Sequence, residues 1–221
     1  MATESAHTSV SRSDSQAQSR SALKHRQILE AATESFLEHG YRGTSMDQVA
    51  AAASVSKQTV YKHFSDKSTL FAEIVRTTVA VAADPVHDEV ARLADSGDLE
   101  ADLLDLARRQ LSGVLHPTLL RLRRLVIAEA GRFPALGRLF YEQGAGRTME
   151  TLAASFARLT DRGLLRVDDA ARAAAEFNWL LMAAPVNRAM LLGEDAVPTG
   201  DELAGHAAAT VRTFLAAYRD G

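Results

Sequence analysis

Residues 44–64, TSMDQVAAAASVSKQTVYKHF, decide the reading of this chain. Thr44 or Ser45 caps a short helix over 46–53, since a side-chain oxygen there accepts a first-turn N–H. Ser54-Val55 makes a tight turn, and Ser56 caps a second short helix over 57–64. Two short helices with so tight a turn have helix-turn-helix spacing. On the second helix Val60 and Phe64 lie within ~40° of one another and face a core. Gln58, Thr59 and Lys62 lie opposite, Tyr61 and His63 flank them, and Lys57 sits at the N-terminal end. That outward face joins hydrogen-bonding groups suited to base edges with cations suited to phosphates. For Lys62 taken alone, a solvated position is the better reading.

The flanks extend the helical pattern in both directions. Ile28, Leu29, Ala32 and Phe36 form one stripe of a helix that starts near Ala22. His39-Gly40 ends it. Ser65 or Asp66 caps a further helix to about residue 83, where Asp84-Pro85 is expected to stop it. Beyond lie candidate helices 86–95, 99–115, 118–131, 135–143, 146–162, 168–193 and 201–219. Pro185 should cost the hydrogen bond to the Leu181 carbonyl and kink its helix. The composition agrees: 40 Ala and 27 Leu stand against 3 Ile and 6% aromatic residues, which favours helix over strand. The expected fold is all-α, a three-helix DNA-binding domain joined to a larger helical domain. Residues 1–21 hold seven Ser and read as a disordered polar tail. The domains are then 22–82, with the motif at 45–64, and 84–221.

Charge alone points away from nucleic acid, since the 221 residues carry a formal −3. The charge is uneven, however. Residues 1–83 hold 9 Lys/Arg against 8 Asp/Glu, and 84–221 hold 16 against 20. Within residues 56–67 the basic residues are Lys57, Lys62 and Lys67, against Asp66 alone. The absence of cysteine removes disulfides, iron–sulfur clusters and thiolate zinc sites. No apolar run reaches the ~18 residues of a membrane span, and the start lacks a secretory h-region. A cytoplasmic location is expected.

The run over 25–75, HRQILEAATESFLEHGYRGTSMDQVAAAASVSKQTVYKHFSDKSTLFAEIV, resembles the DNA-binding domain of TetR-family transcriptional regulators. Ile28, Leu29, Ala31, Ala32, Phe36, Gly40, Tyr41, Val49, Ala50, Val55, Val60, Phe64, Leu70 and Phe71 carry the likeness, with the polar residues of the motif. The resemblance implies phosphate contacts by Thr44, Ser45 and Lys67. It places Ser56, Lys57, Gln58 and Thr59 in the major groove, where Gln58 suits adenine and Lys57 guanine. Tyr61, Lys62 and His63 then meet backbone or neighbouring base edges. Ser54 departs from the family, in which glycine is usual there; a positive φ would cost Ser roughly 1 kcal/mol.

Residues 124–147 resemble, more diffusely, a common TetR-family regulatory domain. The resemblance implies a ligand-responsive repressor that binds a palindromic operator as a homodimer. Its last two long helices, 168–193 and 201–219, would pair across the dimer axis, using Ala171, Ala174, Ala175, Leu180, Ala183, Ala207, Ala208, Val211, Phe214 and Leu215. The alternative is that they form internal core. Leu104, Leu111, Ile127, Phe133, Phe156, Trp179 and Met182 are candidates for lining an effector pocket, although each also suits plain core. Such a lining favours a hydrophobic or aromatic small molecule. No cofactor or metal is expected. Arg121, Arg123 and Arg124 suit an anionic ligand, but pairing with the acid-rich helix around Glu100, Asp102 and Asp105, or solvation, is the preferred reading.

An enzyme is the rival of different class. The seven histidines form no HExxH and no i, i+4 pair, and neither a phosphate loop nor a nucleophile elbow occurs. His87-Asp88-Glu89 is a local trio of metal-ligand types, better read as a solvated helix start. A DNA-binding protein controlled by a partner protein, without a small ligand, is the second rival.

Overall fold

The computed structural model describes the backbone of residues 5–219 and the side chains of residues 19–219. The regular elements among them are helical. They are α1 (Ser5–Gly43), α2 (Met46–Ala52), α3 (Lys57–His63), α4 (Lys67–Leu93) and α5 (Leu99–Val114). Then come α6 (Pro117–Ala130), α7 (Pro134–Tyr141), α8 (Arg147–Asp161), α9 (Ala170–Leu192) and α10 (Gly200–Tyr218). A π-helical turn spans Glu142–Gly146 and a 3₁₀ turn spans Glu194–Ala196. Two compact units result, one through Ile74 and one from Val75, and their division falls inside α4.

In the first unit the apolar stripe of α1 (Ile28, Ala32, Phe36) is fully buried with Val49, Val60, Phe64, Leu70 and Phe71. Phe36 and Phe71 lie 5.0 Å apart between ring centroids, and Tyr41 closes the cluster at 5.8 Å from Phe36 and 5.3 Å from Phe71. Gly40, at φ 73°, breaks α1 where the sequence placed its end, and a last turn follows to Gly43. α2 ends in a Schellman pattern: Ser54 N–H donates to the Ala51 carbonyl and Val55 N–H to that of Ala50. Ser54 takes the left-handed position at φ 53°, alone among the described non-glycine residues. Asp66 caps α4, its carboxylate accepting from Thr69 N–H at 2.8 Å and Ser68 Oγ at 2.6 Å. Those bonds, that of Ser68 foremost, hold its carboxyl at a pKa of about 2.

The core of the second unit is built from α5, α8, α9 and α10. Leu103 and Leu106 meet Leu152 and Leu159, with Phe177, Leu181 and Val211. Phe156 and Phe214 stand 4.9 Å apart, and Phe177 packs edge-on to both. Each buried Phe or Leu of this kind contributes about 1.5–3 kcal/mol.

Four expectations need correction. Residues 5–21, read as a disordered tail, continue α1, while residues 1–4 lie outside the described ones. No Gly or Pro interrupts residues 5–39, so a helix nucleated on its packed part propagates at one bond per residue. Asp84-Pro85 does not end α4. Val79, Ala83, Val86, Val90 and Leu93 form one buried stripe across it, and that burial outweighs the single hydrogen bond the proline removes. Of the residues assigned to helix pairing between copies, Ala174, Ala207, Val211, Phe214 and Leu215 are buried within the chain itself. His87 is no solvated helix start: it is buried, with Nε2 3.2 Å from Thr148 Oγ1.

Pro185 lies inside α9, as the spacing predicted. The Leu181 carbonyl that it leaves unpaired accepts instead from His206 Nε2 of α10 at 2.8 Å. The acceptor has no proton to give, so His206 must carry its proton on Nε2.

Candidate nucleic-acid interface and candidate ligand cavity

α2 and α3 are seven residues each, too short to persist alone, so capping and burial hold them. Ser45 Oγ accepts from Gln48 N–H while the Gln48 side chain accepts from Ser45 N–H at 2.7 Å, a reciprocal capping box. Ser56 caps α3 through Thr59 N–H at 3.1 Å, and its hydroxyl meets that of Thr59 at 2.8 Å. Val60 and Phe64 are buried and fix the rotation of α3 about its axis. Lys57, Gln58, Tyr61 and Lys62 are thereby left exposed on the other side. Lys57 pairs with Asp47 of α2 at 2.8 Å, which raises its pKa above the ordinary lysine value. Its ammonium also lies 5.9 Å from the centre of the Tyr61 ring.

Three residues expected at the surface turn inward. Thr44 is buried, and its hydroxyl donates to the carbonyls of Ser35 and Gly40, both at 3.0 Å. Lys67 is half-buried over the Tyr41 ring and donates to the carbonyls of Tyr41 at 2.7 Å and Thr44 at 2.9 Å. These bonds hold the α1–α2 connection. His63 is half-buried with its ring 5.6 Å from that of His25, which stacks on Phe64 at 4.9 Å. Burial foremost, with nearby His25, Lys62 and Lys24, pushes its pKa down, so it is neutral at pH 7.

The second unit contains a cavity of about 260 Å³. α4, α5, α6, α7, the π-helical turn, α8 and α9 all contribute to its wall. Of the seven pocket candidates, Ile127, Trp179 and Met182 line it. Leu111 and Phe156 belong to the core cluster, and Leu104 packs against that cluster. Phe133 is outside the lining and carries Arg132 over its ring at 5.1 Å.

Sequence reading missed the polar part of the wall. Gln110 is 4% exposed and Asn178 3%, and both line the cavity. Neither amide atom of Gln110 has a hydrogen-bond partner, nor has Asn178 Nδ2, nor Arg123 Nε, which lies in the same wall. Among the described residues, His87 Nδ1 is the one other buried side-chain polar atom in this condition. The arginines of α6 divide accordingly. Arg121 and Arg124 meet Glu194 at 3.6 and 3.7 Å, and Arg124 also donates to the Ala189 carbonyl at 2.6 Å. Neither pairs with the Glu100–Asp105 segment, so that half of the expectation fails, while Arg121 stays half exposed to water. Arg123 stands over the Phe140 ring at 5.4 Å, and burial lowers its pKa. No group of three or more metal-ligand side chains occurs among the described residues, and no helix there is long and apolar enough to cross a membrane.

Residues 28–74 match the model of bacterial regulatory proteins of the tetR family. Residues 101–220, over half of the chain, match the C-terminal domain of AefR-like transcriptional repressors. The chain belongs to the TetR family. A TetR-family regulator from Mesorhizobium loti is 43% identical in its solved structure, with 91% of this chain and 99% of that one covered at a TM-score of 0.85. The flavonoid-responsive regulator FrrA is 32% identical over 90% of this chain and 98% of its own, with a TM-score of 0.73. YhgD of Bacillus subtilis, an HTH-type transcriptional regulator, is 54% identical over 50 residues, 23% of this chain and 26% of its own length. The repressor SCO4008 of Streptomyces coelicolor is 33% identical over 86 residues, 36% of this chain and 45% of its own. The chain thus spans less than half the length of these two curated relatives.

TetR proteins are DNA-binding transcriptional regulators and not enzymes, and this chain is one of them. The polar cavity residues had a signal in the sequence of this TetR protein. Arg123 interrupts the apolar face Leu119, Val126, Ile127 and Ala130 of α6, and Gln110 interrupts Leu103, Leu106, Ala107 and Val114 of α5. A polar group inside an apolar stripe is buried, and a buried polar group needs a partner.

Proposed function

We propose that the protein is a ligand-responsive repressor which binds a palindromic operator as a homodimer in the cytoplasm. The observation that carries the DNA reading is the exposed face of α3: Lys57, Gln58, Tyr61 and Lys62 stand opposite buried Val60 and Phe64. α3 enters the major groove, where Gln58 reads adenine and Lys57 guanine once it leaves Asp47. Tyr61 and Lys62 reach backbone or flanking bases. The Ser45, Ser56 and Thr59 hydroxyls accompany the two helix N-termini at the backbone. His63 supports the end of α3, and Thr44 and Lys67 act by positioning α2.

Repression is supported by the AefR-like repressor description of the C-terminal match. One helix-turn-helix reads few base pairs, and two a DNA turn apart, about 34–36 Å, read a palindrome. The pairing helices are α9 and α10. α9 exposes Leu180, Ala183 and Ala184, and α10 exposes the small residues Gly205, Ala209 and Ala216. The effector is a hydrophobic or aromatic molecule held by Ile127, Trp179 and Met182, in keeping with the flavonoid response in the name of FrrA. α4 carries both tasks: Lys67 in its first turn holds Tyr41 and Thr44, and Val79 to Val86 line the cavity.

Operator selection from random DNA, followed by mobility shift with Gln58→Ala plus Tyr61→Ala, tests the reading. Both side chains are exposed, so folding is spared, and affinity should fall about 100-fold at 1–3 kcal/mol per lost contact. Unchanged affinity would remove α3 as the reading element. Sedimentation of Ala183→Arg should show monomer where the parent is a dimer.

A further inference from the structure

Resting on the ligand-responsive reading above, we propose that the cavity takes a small aromatic carboxylate, with the carboxylate anchored by Arg123 and the polar ring substituents by Gln110 and Asn178. Arg123 is the one formally charged residue in the cavity wall. A guanidinium stays protonated in proteins, so the cavity holds a fixed positive charge. No carboxylate among the described residues meets it, although Glu194 serves Arg121 and Arg124 on the same helix. Arg123 is part-buried, with its Nε cut off from water and without a partner, and a bound anion gives that N–H an acceptor and the guanidinium a counter-charge. A carboxylate also matches the fork of guanidinium N–H donors.

The rest of the wall selects the body of the molecule. Phe140, Tyr141 and Trp179 give aromatic surface, and Val126, Ile127 and Met182 give aliphatic surface. Drug-sized pockets start near ~300 Å³. A cavity of about 260 Å³ therefore suits one ring, or two small ones. The unpaired amides of Gln110 and Asn178 add donors, and Gln110 adds an acceptor, for a hydroxyl or carbonyl at the ring edge. A cationic amine of the same shape meets the wrong charge.

Calorimetric titration of the full chain with trans-cinnamate, its neutral isostere trans-cinnamamide and protonated 3-phenylallylamine tests this. Cinnamate should bind about tenfold or more tightly than cinnamamide, and the amine more weakly than either. Arg123→Gln should bring cinnamate down to the level of cinnamamide and leave cinnamamide unchanged, whereas Arg123→Lys should keep part of the preference. Equal binding of acid and amide, tightest binding by the amine, no binding by any probe, or a preference that survives Arg123→Gln would each overturn the proposal. Should Arg123→Gln fail to fold by circular dichroism, the wild-type ranking and Arg123→Lys decide. Mobility shift separates this from the regulatory reading. Cinnamate that binds with the predicted ranking but leaves operator affinity unchanged supports the anchor and counts against ligand control. DNA binding that responds to cinnamate and cinnamamide equally, with equal affinity for both, does the reverse.

Discussion

The two units treat their polar groups in opposite ways. Through Ile74 the buried or half-buried polar side chains around the motif are spent on structure. Thr44 and Lys67 tie down backbone carbonyls, while at the surface Ser45, Ser56 and Asp66 cap helices. From Val75 onward lie all the buried, unpartnered side-chain atoms among the described residues, and most line one cavity. A unit that presents a fixed face to DNA gains from rigidity, because a misplaced recognition helix loses its contacts. A unit that recognises a small molecule must leave hydrogen bonds for the ligand to complete, at a cost of about 1–3 kcal/mol for each unsatisfied group.

The largest way to break this contrast is to loosen the rigid side. Phe71 is fully buried between Phe36 and Tyr41. Phe71→Ala should cost about 3–5 kcal/mol in urea unfolding, and operator binding should go with it. Loss of stability with DNA affinity intact would show that the face of α3 does not depend on the packing beneath it.

The open side predicts the opposite sign. Gln110→Leu nearly preserves volume and removes an amide that has no partner, so the ligand-free protein should gain about 1–2 kcal/mol. The denaturant midpoint should rise, and binding of a polar effector should weaken. A loss of stability would mean that water already satisfies the amide, and the contrast between the units would shrink.

Which of these features the sequence carried follows from what a periodic pattern encodes. Spacing gives the face of a helix, so Val60 inward and Gln58 outward were legible, as were the caps of α2, α3 and α4. The same spacing does not give the neighbour across that face. Thr44 and Lys67 have the composition of phosphate contacts, yet carbonyls of the α1–α2 connection lie within their reach. Pro85 carries a local stop signal, but the long buried stripe around it is a sum of tertiary contacts that no local rule contains. Arg123 differs from Arg121 and Arg124 by its angle on α6, a difference visible only when the apolar stripe is drawn through it.

A smaller effect comes from pH. Burial foremost, then the charge of Arg147, lowers the pKa of His87, against an opposing pull from Asp84 at 3.9 Å and from Asp88. Above the ordinary imidazole value the folded and unfolded forms are both neutral there, so stability does not change with pH. As pH falls below about 6.5 the unfolded chain takes up the proton first, and stability declines. Urea midpoints at about pH 8 and about pH 5.5 should differ less in His87→Gln than in the parent. His63, shifted the same way in the first unit, supplies the slope that remains. An equal decline in both proteins would assign the whole slope elsewhere.

The smallest effect bears on whether the rigid unit is fully relaxed. Ser54 occupies the left-handed position of the Schellman turn at φ 53°, with Val55 N–H reaching the Ala50 carbonyl at 3.0 Å. A side chain in that region costs about 1–2 kcal/mol, because Cβ crowds the following carbonyl. Glycine removes the crowding but gives the unfolded chain more freedom, which returns about 0.5–1 kcal/mol. Ser54→Gly should therefore stabilise by roughly 0.5–1 kcal/mol net. Its side chain is exposed to water, so removing the hydroxyl costs little else. Operator affinity should stay the same, because the two backbone bonds that set the angle from α2 to α3 are unchanged. A gain in stability accompanied by weaker DNA binding would mean that the strained serine itself holds that angle, and strain would then be part of how this unit reads DNA.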